Sequence, residues 1–190
     1  MFQRSISAPL VGLLAAVAVT LAGAGTAQAA ITSKYLSVPI YKQSLSNHCW
    51  ATSAQMILKY TKNVSKTQCE IATATMGGNC PNVGATKDQM TKALKAVGLT
   101  STAAPGIVSG ATGRAELTAN RPWIYFYLYQ GQNYGHYVVV TGFYYEKTAS
   151  VDSQLFYWND PATGTNKGDT YQKLTSNTTW KAYYSFYGIS

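Results

Sequence analysis

The hydrophobic pattern of this 190-residue chain changes its period near residue 120. Before that point apolar residues recur at helical spacing. Trp50, Ala54, Ile57 and Leu58 stand at i, i+4, i+7 and i+8, which predicts an amphipathic helix from Cys49 to Tyr60. Asn47 or Ser46 can cap its start. The run Ser65 to Gln68 has the form of a capping box and opens a short helix from Cys69 to Ala74. Thr86 to Gln89 repeats that form ahead of Met90, Leu94 and Val97, which share a face, and Gly98 ends the helix. A weaker helical stretch covers Arg114 to Ala119. After Pro122 the apolar residues become β-branched and aromatic and run together: Trp123 to Tyr129, His136 to Phe143, Gln154 to Asn159 and Tyr183 to Tyr187 read as strands. Gly131 with Asn133 and Gly135, then Asp152-Ser153, then Pro161 with Gly164, supply the turns. Helices first and strands second predict an α+β fold. N-terminal helices pack on a C-terminal antiparallel β-sheet, and the first helix points its N-terminus at the strand ends.

The first thirty residues follow another rule. Arg4 precedes an apolar core from Leu10 to Leu21, and Ala27-Gln28-Ala29 is a small-x-small cleavage site. Residues 1–30 thus read as a secretory signal peptide, cut after Ala29 or Ala30. Its apolar core is shorter than the ~20 residues that span a bilayer. A secreted protein with no membrane partner is expected, with one domain over residues 31–190, enough chain for a real core.

Removing that segment takes Arg4 alone from the charged residues and lowers the net charge from +8 by one. The remaining basic residues, such as Lys59, Lys62, Lys66, Lys87, Lys92 and Lys95, are scattered along helix faces. Such a balance suits a solvated surface and would also suit an anionic cell wall. No nucleic-acid motif is present, and no His/Cys cluster has metal-ligand spacing. The expectation is therefore no nucleic acid, no metal and no other cofactor, with a monomer as the default state.

Three cysteines allow three pairings, each of which leaves one thiol free. Cys69 and Cys80 enclose a loop containing Gly77, Gly78 and Asn79 that is flexible enough to close, and such a bridge stabilises by about 3 kcal/mol in the chain-entropy model. With that pairing favoured, Cys49 is left free. It lies where the loop Gln43 to His48 turns into a helix, at the positive end of the macrodipole, a setting that favours thiolate. A thiol nucleophile needs a base, and the base needs an orienting partner. His48 adjoins Cys49, but neighbouring side chains diverge at a helix start. His136 opens an apolar strand behind Gly135, whose lack of a side chain leaves room for a substrate backbone. Asn159 and Asp160 end another strand before Pro161; because successive side chains alternate in direction, only one of them can face His136. Gln43 can direct its amide at a developing oxyanion, with the Cys49 N–H as second donor.

Val38-Pro-Ile-Tyr-Lys-Gln43, Cys49-Trp50-Ala51, the run Gly135 to Gly142, and Asn159-Asp160-Pro161 with Gly164 stand in an order that resembles the papain-like cysteine peptidases. The likeness is stronger to their compact bacterial branch, which includes bacteriocin-processing peptidases and secreted effector peptidases. This resemblance implies a papain-like fold and hydrolysis of a peptide or protein substrate. It implies Cys49 as nucleophile, His136 as general base and Gln43, six residues ahead of Cys49, at the oxyanion. Asp160 matches the Asp-Pro pair of the bacterial branch, whereas the asparagine of papain itself would point to Asn159. Ser46-Asn47-His48 stands where the papain-type signature has glycine and a second cysteine. Larger papains place their histidine roughly 130 to 150 residues after the cysteine; the shorter separation of Cys49 and His136 fits the compact form. Two other functions fit the same residues: a peptidoglycan amidase or transpeptidase using the same three groups, and a non-catalytic, disulfide-stapled binding module.

Overall fold

The computed structural model describes residues 30–148 and 150–190. The segment read as a signal peptide lies outside the described residues as far as position 29, and Ala30 already begins a strand. The elements in chain order are β1 (Ala30–Tyr35), α1 (Cys49–Lys62), α2 (Gln68–Met76), α3 (Lys87–Ala96), β2 (Thr102–Pro105), α4 (Gly110–Thr118), β3 (Trp123–Tyr129), β4 (Gly135–Lys147), β5 (Asp152–Asp160), β6 (Thr165–Thr170), α5 (Tyr171–Thr175) and β7 (Trp180–Tyr187). The seven strands form one antiparallel sheet in the order β2-β7-β3-β4-β5-β6, with β1 paired to the far half of β4. Helices packed against an antiparallel sheet are the α+β arrangement that the change of period predicts.

Helix α1 is more deeply buried than a one-faced helix. Trp50, Ala51, Ala54, Met56, Ile57 and Leu58 are all inaccessible or nearly so, and so are Thr52 and Ser53. It packs on β4 and against α2 and α3. The Thr52 hydroxyl is accommodated by donating to the His48 carbonyl, 2.8 Å away. Strand β4 is buried without a break from His136 to Phe143. Successive side chains leave a strand on opposite sides, so this run means that both faces of β4 are covered, the pattern that replaces simple alternation in a central strand. Helix α4 also reaches β4, and it sits so close that a Cβ on Gly113 would come within 3.1 Å of the Trp123 ring.

Three sequence expectations are corrected. The box that opens α2 is Thr67 with Glu70, two residues later than Ser65 with Gln68. Gln68 is instead turned into the protein, where it holds the loop before Cys49. The start of α1 is capped by neither Asn47 nor Ser46; His48 occupies the cap position and its side chain makes no capping bond. Asp152 and Ser153, read as a turn, begin β5. Strands β1, β2 and β6 and the short α5 carry no apolar period of their own. They form because a neighbouring strand or turn recruits them.

Candidate active site

Cys49 is the first residue of α1 and is buried. The loop that delivers it has no regular structure and is held from outside. Gln68 accepts from the Ser44 N–H (2.7 Å) and hydroxyl (2.9 Å) and donates to the Lys42 carbonyl (2.9 Å). The Gln43 N–H donates to the Pro161 carbonyl at 2.8 Å. On the other side, Asn82 accepts from the Asn47 N–H (2.9 Å) and donates to the Ser46 hydroxyl (3.1 Å). The Trp50 indole donates to the Val83 carbonyl at 2.9 Å. The segment that supplies these partners is tied at its root by a Cys69–Cys80 disulfide, the pairing favoured from the sequence, with Cα atoms 4.5 Å apart. Cys49 is free.

His48 belongs to this scaffold. It is fully buried, its Nε2 donates to the Pro81 carbonyl at 3.1 Å, and its Nδ1 lies 3.5 Å from Ser44 Oγ, whose proton goes to Gln68. Gln43 lines the cleft, but both amide protons are used inside its own loop, on the carbonyls of Leu45 (3.1 Å) and Ser46 (2.7 Å). Its Oε1 is buried without a partner among the described residues.

The opposite wall is built by strands. Gly135 is required because β4 crosses β3 closely: a Cβ there would lie 1.9 Å from the Tyr127 carbonyl oxygen and 2.7 Å from the Phe126 ring. The glycine therefore serves strand packing, and it also lines the cleft. The sheet register then decides between Asn159 and Asp160. Asn159 stands opposite Val139. Opposed residues share a face, so Asp160 falls on the face of Val138 and His136. His136 Nε2 and Asp160 Oδ1 are 2.7 Å apart. Asn159 faces away, donating to the Val38 carbonyl (3.1 Å) and accepting from Asn166 (2.9 Å). Cys49 and His136 line the same cleft, and the Cys49 side chain acts on the imidazole. Because Nε2 is committed to Asp160, Nδ1 is the nitrogen left available to the sulfur.

These contacts set the charges. Burial by itself would favour neutral imidazole, but the hydrogen bonds to Asp160 and to Cys49 outweigh it and raise the His136 pKa to about 9. Burial pushes the Asp160 carboxyl up; hydrogen bonds from His136 and Lys167 outweigh that and hold it well below the usual carboxylate range. Lys167 is the residue that sequence reasoning missed. It lies in the polar run Thr165–Thr170, which has no period to read.

The Cys49–His136 pair opens into a cleft of about 1120 Å³, whose walls include Phe126, Tyr134, Tyr183 and the edge of β2 at Ala104. Among the described residues no group of three or more His, Cys, Asp or Glu side chains converges as a metal site would. A sulfur, an imidazole that keeps its proton to about pH 9 and an ionised carboxylate bonded to that imidazole make a set of groups suited to acyl transfer.

One comparison shows a family and another a fold. The family profile of the papain-like cysteine protease AvrRpt2 matches residues 32–179. No curated protein matches in sequence. Among solved structures, the chain is similar in fold to the peptidase domain of Streptococcus ComA, a bifunctional ABC transporter of a quorum-sensing pathway: TM-score 0.57 at 14% identity, over 79% of this chain and 97% of that one. It is also similar to a double-glycine-motif protease from an AMS/PCAT transporter, solved with its leader peptide: TM-score 0.52 at 18% identity, over 81% of this chain and 94% of that one. The matched stretch contains all of α1 and β3 to β6, and with them Cys49, His136 and Asp160. The chain belongs to the papain-like cysteine protease AvrRpt2 family and is a cysteine-type peptidase.

Proposed function

We propose that this protein is a secreted peptidase that hydrolyses peptide bonds through Cys49, with His136 as its acid–base partner and Asp160 as the group that orients the ring. The observation that carries this reading is that Cys49 and His136 line one cleft and that His136 is bonded behind it to Asp160 at 2.7 Å. The Cys49 sulfur, as thiolate, attacks the scissile carbonyl carbon. As the tetrahedral intermediate collapses, the C–N bond breaks and His136 gives its Nδ1 proton to the leaving amine. His136 then takes a proton from water, whose oxygen attacks the thioester; the acid leaves and the sulfur is restored. The Cys49 N–H belongs to the first turn of α1, where no side chain competes for the unpaired amides, and it is one oxyanion donor. Gln43 supplies the second by releasing one of its two loop carbonyls when substrate arrives.

Secretion is supported by the N-terminal pattern and by a disulfide, which persists in oxidising compartments. A peptide as substrate is supported by the volume of the cleft and by the similar solved protease that was captured with its leader peptide. The test is Cys49→Ala assayed on casein and on a peptide library. Cleavage is expected to vanish while circular dichroism and Tm stay as in the wild type; full activity in the variant ends the proposal.

A further inference from the structure

We propose that Lys167 is a positioning residue for this reaction: its ammonium clamps the outer oxygen of Asp160 and thereby fixes the edge that the carboxylate presents to His136. The inference rests on the peptidase reading of Cys49, His136 and Asp160.

The two oxygens of Asp160 are used differently. Oδ1 accepts from His136 Nε2 at 2.7 Å and from the Ala162 N–H at 2.8 Å. Oδ2 accepts from Lys167 Nζ at 2.6 Å and from no other donor among the described residues. The last torsion of an aspartate is broad and two-fold, so a carboxylate gripped at one oxygen can still rock or exchange its oxygens. A donor on the second oxygen removes that freedom. The sheet register places the lysine for this task. Lys167 stands opposite Trp158, and Trp158 shares its face of β5 with Asp160, so Lys167 reaches the carboxylate diagonally across the ladder. The turn between the strands is closed by the Gly164 N–H on the Asp160 carbonyl (2.8 Å), which holds β6 in that register.

Other groups near Asp160 do not duplicate the clamp. From β4 there is His136 itself, and from α1 there is Cys49 beyond the ring. From β3 the phenols of Tyr125 and Tyr127 come near; burial pushes both far above their ordinary range, so they are neutral. Among the described residues, Lys167 is the cation that acts on the carboxylate besides the imidazolium. Its side chain is 44% exposed and comes from the edge strand β6, so it can be exchanged without opening the core.

The experiment compares Lys167→Met and Lys167→Arg with the wild type in the full chain, by pH-dependent kcat and KM on a fluorogenic peptide. Lys167→Met is expected to lower kcat roughly tenfold, the scale of one charge-assisted hydrogen bond after allowance for solvent screening, with KM unchanged. The acid limb of its profile should move to higher pH, because a carboxylate with one cation fewer protonates more readily. Lys167→Arg should recover most of kcat and return the acid limb. Wild-type kcat with an unmoved acid limb in a folded Lys167→Met overturns the clamp, and so does a kcat loss that Lys167→Arg does not repair. Cys49→Ala run in parallel separates the two readings. Cleavage that survives it removes the peptidase assignment, whereas cleavage lost there and untouched in Lys167→Met removes the clamp alone.

Discussion

The two walls of the cleft are held together by different kinds of bond. The wall that carries His136 and Asp160 is a continuous ladder, β3 to β4 to β5 to β6, in which each residue's place follows from its neighbours'. The wall that carries Cys49 is a loop without regular structure. It is fixed by single side-chain contacts from Gln68, Asn82 and the carbonyls of Pro81 and Val83, and by one covalent tie at Cys69–Cys80. Cooperative pairing spreads the cost of a lost contact, and isolated contacts do not. The sulfur side should therefore loosen first, and the strand side should fail only when its buried charges are disturbed.

The largest combined effect on turnover and stability belongs to the strand wall. Asp160→Ala leaves a buried imidazole, an amide and an ammonium without their acceptor. It should lower kcat/KM by about a thousandfold or more and cost roughly 3 kcal/mol of stability, read by steady-state kinetics and urea unfolding. Activity within tenfold of the wild type would mean that the ladder does not set the reactive geometry.

The stability of the same wall should depend on pH from both sides. The His136 pKa is raised above its unfolded value of 6.5, so its contribution is complete below about 6.5 and fades as pH rises through about 9. The Asp160 pKa is lowered from 3.8, so its contribution is complete above that value and fades as pH falls below it. Stability should be greatest between those unfolded values. The alkaline decline should amount to a few kcal/mol, since each pH unit that separates the folded from the unfolded titration of the ring is worth about 1.4 kcal/mol. Asp160→Asn should flatten that decline; an unchanged slope would assign it to other groups.

Next comes the covalent tie. The double variant Cys69→Ala/Cys80→Ala should lose about 3 kcal/mol. Amide protection should drop around Asn47 to Ala51 and persist along β4 and β5. Equal loss on both walls, seen by hydrogen exchange, would erase the distinction drawn above. The smallest change is Asn82→Ala. It removes two exposed side-chain bonds to the loop, should cost about 1 kcal/mol, and should slow turnover a fewfold without moving KM.

What can be read from the sequence follows the same division. The apolar periods of α1, α3, β3 and β4 are directly legible, because burial writes itself into residue type. The strand rule reduces the partner of His136 to one of two neighbours, Asn159 and Asp160. The choice needs the β4–β5 register, and that register contains an irregularity between Val140 and Gly142 that no pattern announces. Lys167 is invisible because β6 is polar and exists only by pairing with β5. The place of Gln68 escapes for a related reason. Its side chain has a partner twenty-four residues away, and local spacing says nothing about such partners.

One consequence follows from how the sulfur atoms are distributed. The chain has three cysteines, and two of them are joined to each other, so Cys49 is its single sulfhydryl. A peroxide that converts it to sulfenic acid meets no second sulfhydryl within the molecule to condense with. Recovery then depends on small thiols supplied by the surroundings, and without them further peroxide carries the residue to the sulfinic state, from which it does not return.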